Sequence, residues 1–192
     1  MTKLIFQETI SLIKWVLFFL CIMFIFRLLF GYVCEVNGAS MNPTLADEDR
    51  LIVSRVPYYL HNPERFDVIV FKSQDGRDFV KRVIGLPGDT IRYENDQLYI
   101  NEQAMDEPFL EKIKSQFREP FTSDFVFGDK GNESIIPEGY IFVLGDNRQN
   151  SMDSREFGLV PLDSIQGKAL TRLAPFDKLV WNVSEVIYAE TE

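Results

Sequence analysis

The polar and apolar positions divide this chain into two unlike parts. Residues 15–26 are apolar without interruption, and residues 28–33 continue the run beyond Arg27. Read as a helix, residues 15–33 would be about 29 Å long at ~1.5 Å per residue, close to the ~30 Å thickness of a bilayer's hydrocarbon. Lys14 and Arg27 can carry their charges outward along their stems, and Trp15 and Tyr32 suit the two interfaces. A cleaved leader would end its apolar run in small residues. Here the run passes through Arg27, Phe30 and Tyr32 before reaching Asn37-Gly38-Ala39, so the pattern predicts a retained transmembrane helix. Lys3 and Lys14 lie on its short side, which predicts a cytoplasmic N-terminus (1–14), an anchor (15–33) and an extracytoplasmic remainder (34–192) in the cell membrane.

Beyond the anchor the pattern changes to short strands. Segments 50–56, 67–72, 78–84, 90–93, 98–101, 140–144 and 167–173 are alternating or rich in β-branched and aromatic residues, with Gly, Pro, Asn and Asp between them. Leu86-Pro87-Gly88-Asp89 reads as a tight turn and Asn101-Glu102 as a hairpin return. A helical period recurs only over 108–117. Residues 103–137 carry little strand signal and hold Pro108, Pro120, Gly128, Gly131 and Pro137, which reads as an insertion on the core. The predicted class is mainly β, a curved pair of antiparallel sheets behind one N-terminal transmembrane helix.

Charge narrows the partners. The 192-residue chain has a net charge of −9, with basic residues in excess before position 34 and acidic ones after it. An acidic domain on a basic-flanked anchor faces a lipid bilayer and does not suit nucleic acid. The two cysteines, Cys21 inside the apolar run and Cys34 beyond it, give no disulfide framework.

Three polar segments carry candidate chemistry. In Gly38-Ala39-Ser40-Met41-Asn42-Pro43-Thr44-Leu45, glycine and proline bracket Ser40, so its hydroxyl and N–H could be held exposed on a fixed turn. A plain turn serine fits the same residues. In Asp78-Phe79-Val80-Lys81-Arg82-Val83-Ile84, alternation puts Phe79, Lys81 and Val83 on one face and Val80, Arg82 and Ile84 on the other. An amine among apolar neighbours loses its charge more readily and can accept a serine proton. A charged cap on a sheet edge is the other reading of Lys81 and Arg82. The third segment, 145–155, is dense in Asp, Asn, Ser and Arg and follows an apolar strand, as an Asx-rich loop would. It fails as an EF-hand, because Arg148 and Phe157 stand where oxygen ligands are needed. No metal or cofactor is implied. His61, the only histidine, lies in a polar loop, which disfavours a Ser-His-Asp triad.

Together these three segments, in this order, resemble the nucleophile, lysine and third boxes of the bacterial type I signal peptidases, with the similarity running from the anchor to about Pro175. The resemblance implies a serine endopeptidase that removes signal peptides from secretory preproteins after Ala-x-Ala type sites, using Ser40 as nucleophile and Lys81 as general base. It further implies that Ser151 hydrogen-bonds the Lys81 amine, that Arg82 pairs with Asp146, that Asp153 and Arg155 brace the third box, and that Met41 sits near the bilayer. Length and the single anchor are similar to the short Gram-positive form.

Two positions depart from the family pattern. Gly38 stands where some members have a serine that assists the oxyanion hole, leaving the Ser40 N–H and a second donor that the sequence does not name, the Gly38 backbone being one candidate. Gln149 replaces a common aspartate. A repressor-type self-cleaving protease would need a DNA-binding domain in place of the anchor. A silent membrane-tethered β module that binds exported proteins would have no use for Ser40, Lys81 and Ser151 together.

Overall fold

In the computed structural model, which describes residues 2–73, 75–128, 134–174, 180 and 182–185, the apolar N-terminus forms one helix, α1 (Thr2–Phe30). Its segment Gln7–Ile25 has a mean hydropathy of 2.0 and none of it is buried against the rest of the chain, so Trp15, Phe18 and Phe19 point outward. The side chains of Lys3 and Arg27, and Pro175, lie outside the described residues, as do residues 129–133 of the expected insertion.

The helix stops at Phe30, three residues short of the end of the apolar run. Gly31 turns the chain with φ +69°, and a Cβ there would collide with the Val53 carbonyl. Glycine alone combines that backbone with that approach. Tyr32 and Val33 therefore leave the helix and enter β1 (Tyr32–Glu35), which pairs antiparallel with β2 (Arg50–Ser54). The strand expected to reach Val56 ends two residues earlier, because Pro57 opens the short helix α2 (Val56–Leu60), where its missing N–H costs nothing.

The remaining strands are β3 (Val68–Lys72), β4 (Asp78–Gly85), β5 (Ile91–Glu94), β6 (Gln97–Ile100), β7 (Gln103–Met105), β8 (Phe125–Val126), β9 (Tyr140–Leu144), β10 (Val160–Pro161) and β11 (Ile165–Ala174). A seven-stranded antiparallel sheet runs β1-β2-β11-β3-β4-β9-β10, and a four-stranded sheet runs β7-β6-β5-β8. Segment 103–137 is thus not set apart from its neighbours. Its β7 and β8 complete the smaller sheet around the β5–β6 hairpin, whose turn at Asn95 and Asp96 has positive φ. The helical period over 108–117 appears as a 3-10 turn, Pro108–Leu110, followed by one α-turn, Glu111–Lys114.

The larger sheet curls and does not close. β4 pairs with β3 through Asp78–Arg82 but meets β9 only from Arg82 onward, so its first half has a free edge. β1 pairs on one side only. These two free edges face each other across a groove of about 750 Å³, walled by Tyr32, Cys34, Val36 and Asn37 on one side and by residues 77–81 on the other. Inside the curl, Val36, Met41, Leu45, Leu51, Val68, Val70 and Val80 form one buried apolar cluster. On the opposite face, Ile69, Phe71, Val83, Ile141 and Val143 form another, with Phe79 against it.

The Gly31 junction gives a direct test. Gly31→Ala should lower the unfolding temperature of the detergent-solubilised chain by about 3–10 °C, from a backbone clash of ~1–3 kcal/mol. An unchanged midpoint by differential scanning fluorimetry would mean that the helix–sheet junction tolerates a side chain.

Candidate active site

The first polar segment folds into a turn-rich loop between β1 and β2. Leu45 N–H donates to the Met41 carbonyl over 2.9 Å, so this helix-like turn points Met41 and Leu45 the same way, into the cluster inside the curl. Met41 is fully buried, which corrects its expected place at the bilayer surface. The exposed methionine at the groove is Met152, half accessible. Ser40, one residue earlier, faces the groove.

Lys81 reaches the same point from β4. Its Nζ lies 2.6 Å from Ser40 Oγ and 5.5 Å from the centroid of the Phe79 ring, and the residue is only 3% exposed. Burial pushes the Lys81 amine down to about 8, while the carboxylates of Asp153 and Asp146 oppose that shift. An amine that is half deprotonated near pH 8, in hydrogen-bond contact with a hydroxyl, has the geometry of a base and its nucleophile.

Arg82, next along β4, points the other way and is wholly buried. Its Nε and Nη2 donate to the two oxygens of Asp146 at 2.9 and 2.7 Å, and its Nη1 donates to the Phe66 and Ser184 carbonyls at 2.9 and 3.0 Å. The guanidinium also stacks over the Phe109 ring at 3.9 Å. Asp146 accepts a further hydrogen bond from the Thr44 hydroxyl, which ties the Ser40 loop to the third segment. Asn147 adds two more ties, its N–H to the Ser40 carbonyl at 3.0 Å and its Nδ2 to the Ala39 carbonyl at 3.1 Å.

Asp153 caps the turn that follows. It accepts from the Gly145 N–H at 3.1 Å and pairs with both Nε and Nη2 of Arg155 at 2.8 Å. Gly145 sits where a Cβ would collide with Ser151 Oγ and the Ser40 carbonyl, so the loop lies flat against Ser40.

Two expected contacts are not formed. Gly38 donates its N–H to Asp47 Oδ1 at 2.6 Å, so this group is engaged within its own loop and does not face an oxyanion. By contrast, among the described residues the Ser40 N–H donates to no backbone carbonyl. Ser151 makes no hydrogen bond to Lys81. Its hydroxyl is turned against Gly145, buried and without a partner among the described residues, while the Lys81 amine is directed to Ser40. His61 is exposed and packs against Tyr58, and Cys34 is a free thiol in the groove wall. Among the described residues no group of His, Cys, Asp or Glu could hold a metal ion.

The sequence reading missed a second buried network behind the loop. Arg148 Nη2 pairs with Glu107 Oε1 at 2.5 Å, Tyr93 hydrogen-bonds both, and Arg148 Nε donates to the Gly145 carbonyl at 3.0 Å. It fastens the third segment to the smaller sheet. Its sequence signal was one glutamate in Asp106-Glu107-Pro108, which gave no hint of a partner 41 positions away.

Residues 9–174 match the family model described as signal peptidase, peptidase S26. A signal peptidase I of Bacillus caldolyticus is 43% identical over 162 residues, covering 84% of this chain and 89% of its own. A signal peptidase IB of Staphylococcus aureus (strain MRSA252) is 41% identical over 152 residues, covering 77% and 80% respectively. The crystal structure of a signal peptidase I from Enterococcus faecalis V583 superposes with a TM-score of 0.52 at 42% identity, covering 56% of this chain and 97% of that one. The chain therefore belongs to the signal peptidase family, peptidase S26. It is a hydrolase of the serine peptidase class, with a mainly β fold around a curled antiparallel sheet, and α1 is its candidate membrane span.

The Arg82–Asp146 pair predicts an asymmetric mutational response. Asp146→Ala leaves a buried guanidinium without its counterion and should cost about 3–5 kcal/mol in denaturant unfolding. The double replacement Arg82→Met with Asp146→Leu removes both charges and should recover much of that loss. Equal destabilisation by the single and double changes would deny the pair this role.

Proposed function

We propose that this chain is a membrane-anchored endopeptidase that removes signal peptides from secretory preproteins through a Ser40–Lys81 dyad. The observation that carries the reading is the 2.6 Å approach of Lys81 Nζ to Ser40 Oγ in a groove between two free strand edges. Neutral Lys81 takes the Ser40 proton as the hydroxyl attacks the scissile carbonyl, and the Ser40 N–H receives the developing oxyanion. The lysine then gives its proton to the leaving amine, and a water activated by the same amine hydrolyses the ester. Arg82, Asp146, Asp153 and Arg155 hold the strand and loop that carry the dyad, and Ser151 adds a buried hydroxyl beside the nucleophile.

The groove has a direction. At its far end Tyr32 donates to Gln166 at 2.7 Å and Gln166 donates to Asp78 at 2.8 Å, while at its near end Lys81 meets Ser40. β1 and β4 thus run side by side toward the dyad, and α1 ends next to the far end. With α1 in the bilayer, N-terminus cytoplasmic and the β domain outside, a signal peptide held in the membrane enters beside Tyr32 and presents its cleavage site at Ser40. As an added strand it pairs with both edges, and its residues one and three before the cut point inside the curl. There Val36 and Val80, backed by Met41 and Leu45, leave room only for small side chains, which is the basis for an Ala-x-Ala preference. A groove bordered by Asp78 and Glu35 is unsuited to nucleic acid.

Purified chain incubated with a labelled preprotein should generate one new N-terminus, identified by sequencing. Ser40→Ala and Lys81→Ala should each remove cleavage by several orders of magnitude, the double mutant being hardly worse, with Ser151→Ala milder than either. Substantial activity in Lys81→Ala would sink the dyad.

The amine must be neutral to act, so the rate should rise with pH and level off above about 8. Lys81→Arg, which stays protonated, should be inactive at every pH. A flat profile from pH 6 to 9 would contradict a lysine base.

In a peptide series, Leu or Phe in place of Ala at positions one or three before the cut should lower kcat/KM at least tenfold, for an overpacking cost of roughly 1–3 kcal/mol. Indifference at both positions would exclude the inward pockets.

A further inference from the structure

A strand laid between β1 and β4 also has an outward face. In β4, Asp78 and Val80 point inside the curl, whereas Phe79 points to the opposite side of the sheet with Lys81. The residue two before the cut therefore stands against Phe79. Solvent is not what it would meet there. Phe79 and Met152, both on the groove, also form the near wall of a second cavity of about 400 Å³, completed by Phe71, Phe157, Leu159 and Pro161. Its aromatic side is well built. The Phe71, Phe79 and Phe157 rings pack at 5.9 to 6.1 Å from one another, and Arg77, paired with Asp75 at 2.5 Å, lies over the Phe79 ring at 5.4 Å.

We infer that this apolar cavity is a specificity pocket for the side chain two residues before the cut, and that it selects a large apolar group there. The inference rests on the proposed strand geometry of the substrate and reverses the simplest expectation from it, in which the middle side chain of the three points away and is read by nothing. Three features fix the occupant. The cavity adjoins the groove, with Arg77, Phe79 and Met152 lining both, it lies on the outward side of β4, and strand alternation brings only every second substrate residue to that side. The next outward residue, four before the cut, falls beside the Arg77–Asp75 pair at the polar rim. A large apolar side chain in the cavity removes its own surface and that of half-exposed Met152 from water, and alanine cannot reach.

The test uses the full-length chain in detergent and peptides that keep Ala one and three before the cut, with Ala, Leu, Phe or Asp between them. The readout is the ratio of kcat/KM for Phe over Ala within each enzyme, so that general damage cancels. The ratio should be roughly tenfold in the parent, with Leu intermediate and Asp below Ala. It should fall to near one in Met152→Ala, which removes the shared wall, and in Ser164→Trp, which fills the cavity from its rim. Efficient cleavage with a parental ratio near one, or a ratio that survives both changes, would overturn the pocket while leaving the peptidase reading intact. No Ser40-dependent cleavage of any peptide would overturn that reading, and the pocket with it.

Discussion

The Arg82–Asp146 ion pair is the contact on which the arrangement of the site depends. Two wholly buried charges are expensive to desolvate, and they are tolerated here because Arg82 donates four hydrogen bonds and Asp146 also accepts from Thr44. The pair joins three segments far apart in sequence. β4 contributes Arg82, the loop after β9 contributes Asp146, and the nucleophile loop contributes Thr44. Because Lys81 and Arg82 are consecutive on a strand, whatever fixes the guanidinium on one face fixes the amine on the other.

The same carboxylates set a limit on the chemistry. Asp146 and Asp153 hold Lys81 toward its charged form, and burial works against them. Burial is the larger effect, and the Asp146 charge is also engaged by Arg82 and that of Asp153 by Arg155 and the Gly145 N–H. An unpaired carboxylate at either place would raise the amine and hold it protonated. In the proposed mechanism the salt bridges therefore serve Lys81 twice, through geometry and by engaging its acidic neighbours.

What could be read from sequence followed the range of the interactions. Alternation along residues 78–84 correctly separated Lys81 from Arg82, because a strand's period of two holds whatever lies on either side of it. The strand at 140–144 and the turn at 86–89 were legible for the same local reason. β1 was hidden, since Tyr32 and Val33 are as apolar as the helix before them and only the positive φ of Gly31 divides the two elements. Met41 misled because its burial depends on a turn that aligns it with Leu45. The hydroxyl of Ser151 and the N–H of Gly38 were placed by analogy; the first is buried without a partner among the described residues, and the second is taken by Asp47. The Glu107–Tyr93–Arg148 network was beyond reach, since its members come from the smaller sheet and the third segment with no spacing rule between them.

In the proposed mechanism, an unclosed sheet also explains why a lysine could serve where it stands. The free edge of β4 leaves backbone groups unpaired along the groove, and an added strand could pair with them and with β1 while covering Ser40 and Lys81. Covering the amine removes more water from around it, which favours its neutral form further and strengthens every hydrogen bond to the oxyanion. In the proposed mechanism, binding of the strand and activation of Lys81 are then one event. A peptide too short to span from Tyr32 to Ser40 would lose turnover as well as affinity, because it would leave the lysine in contact with solvent at the moment it must accept a proton.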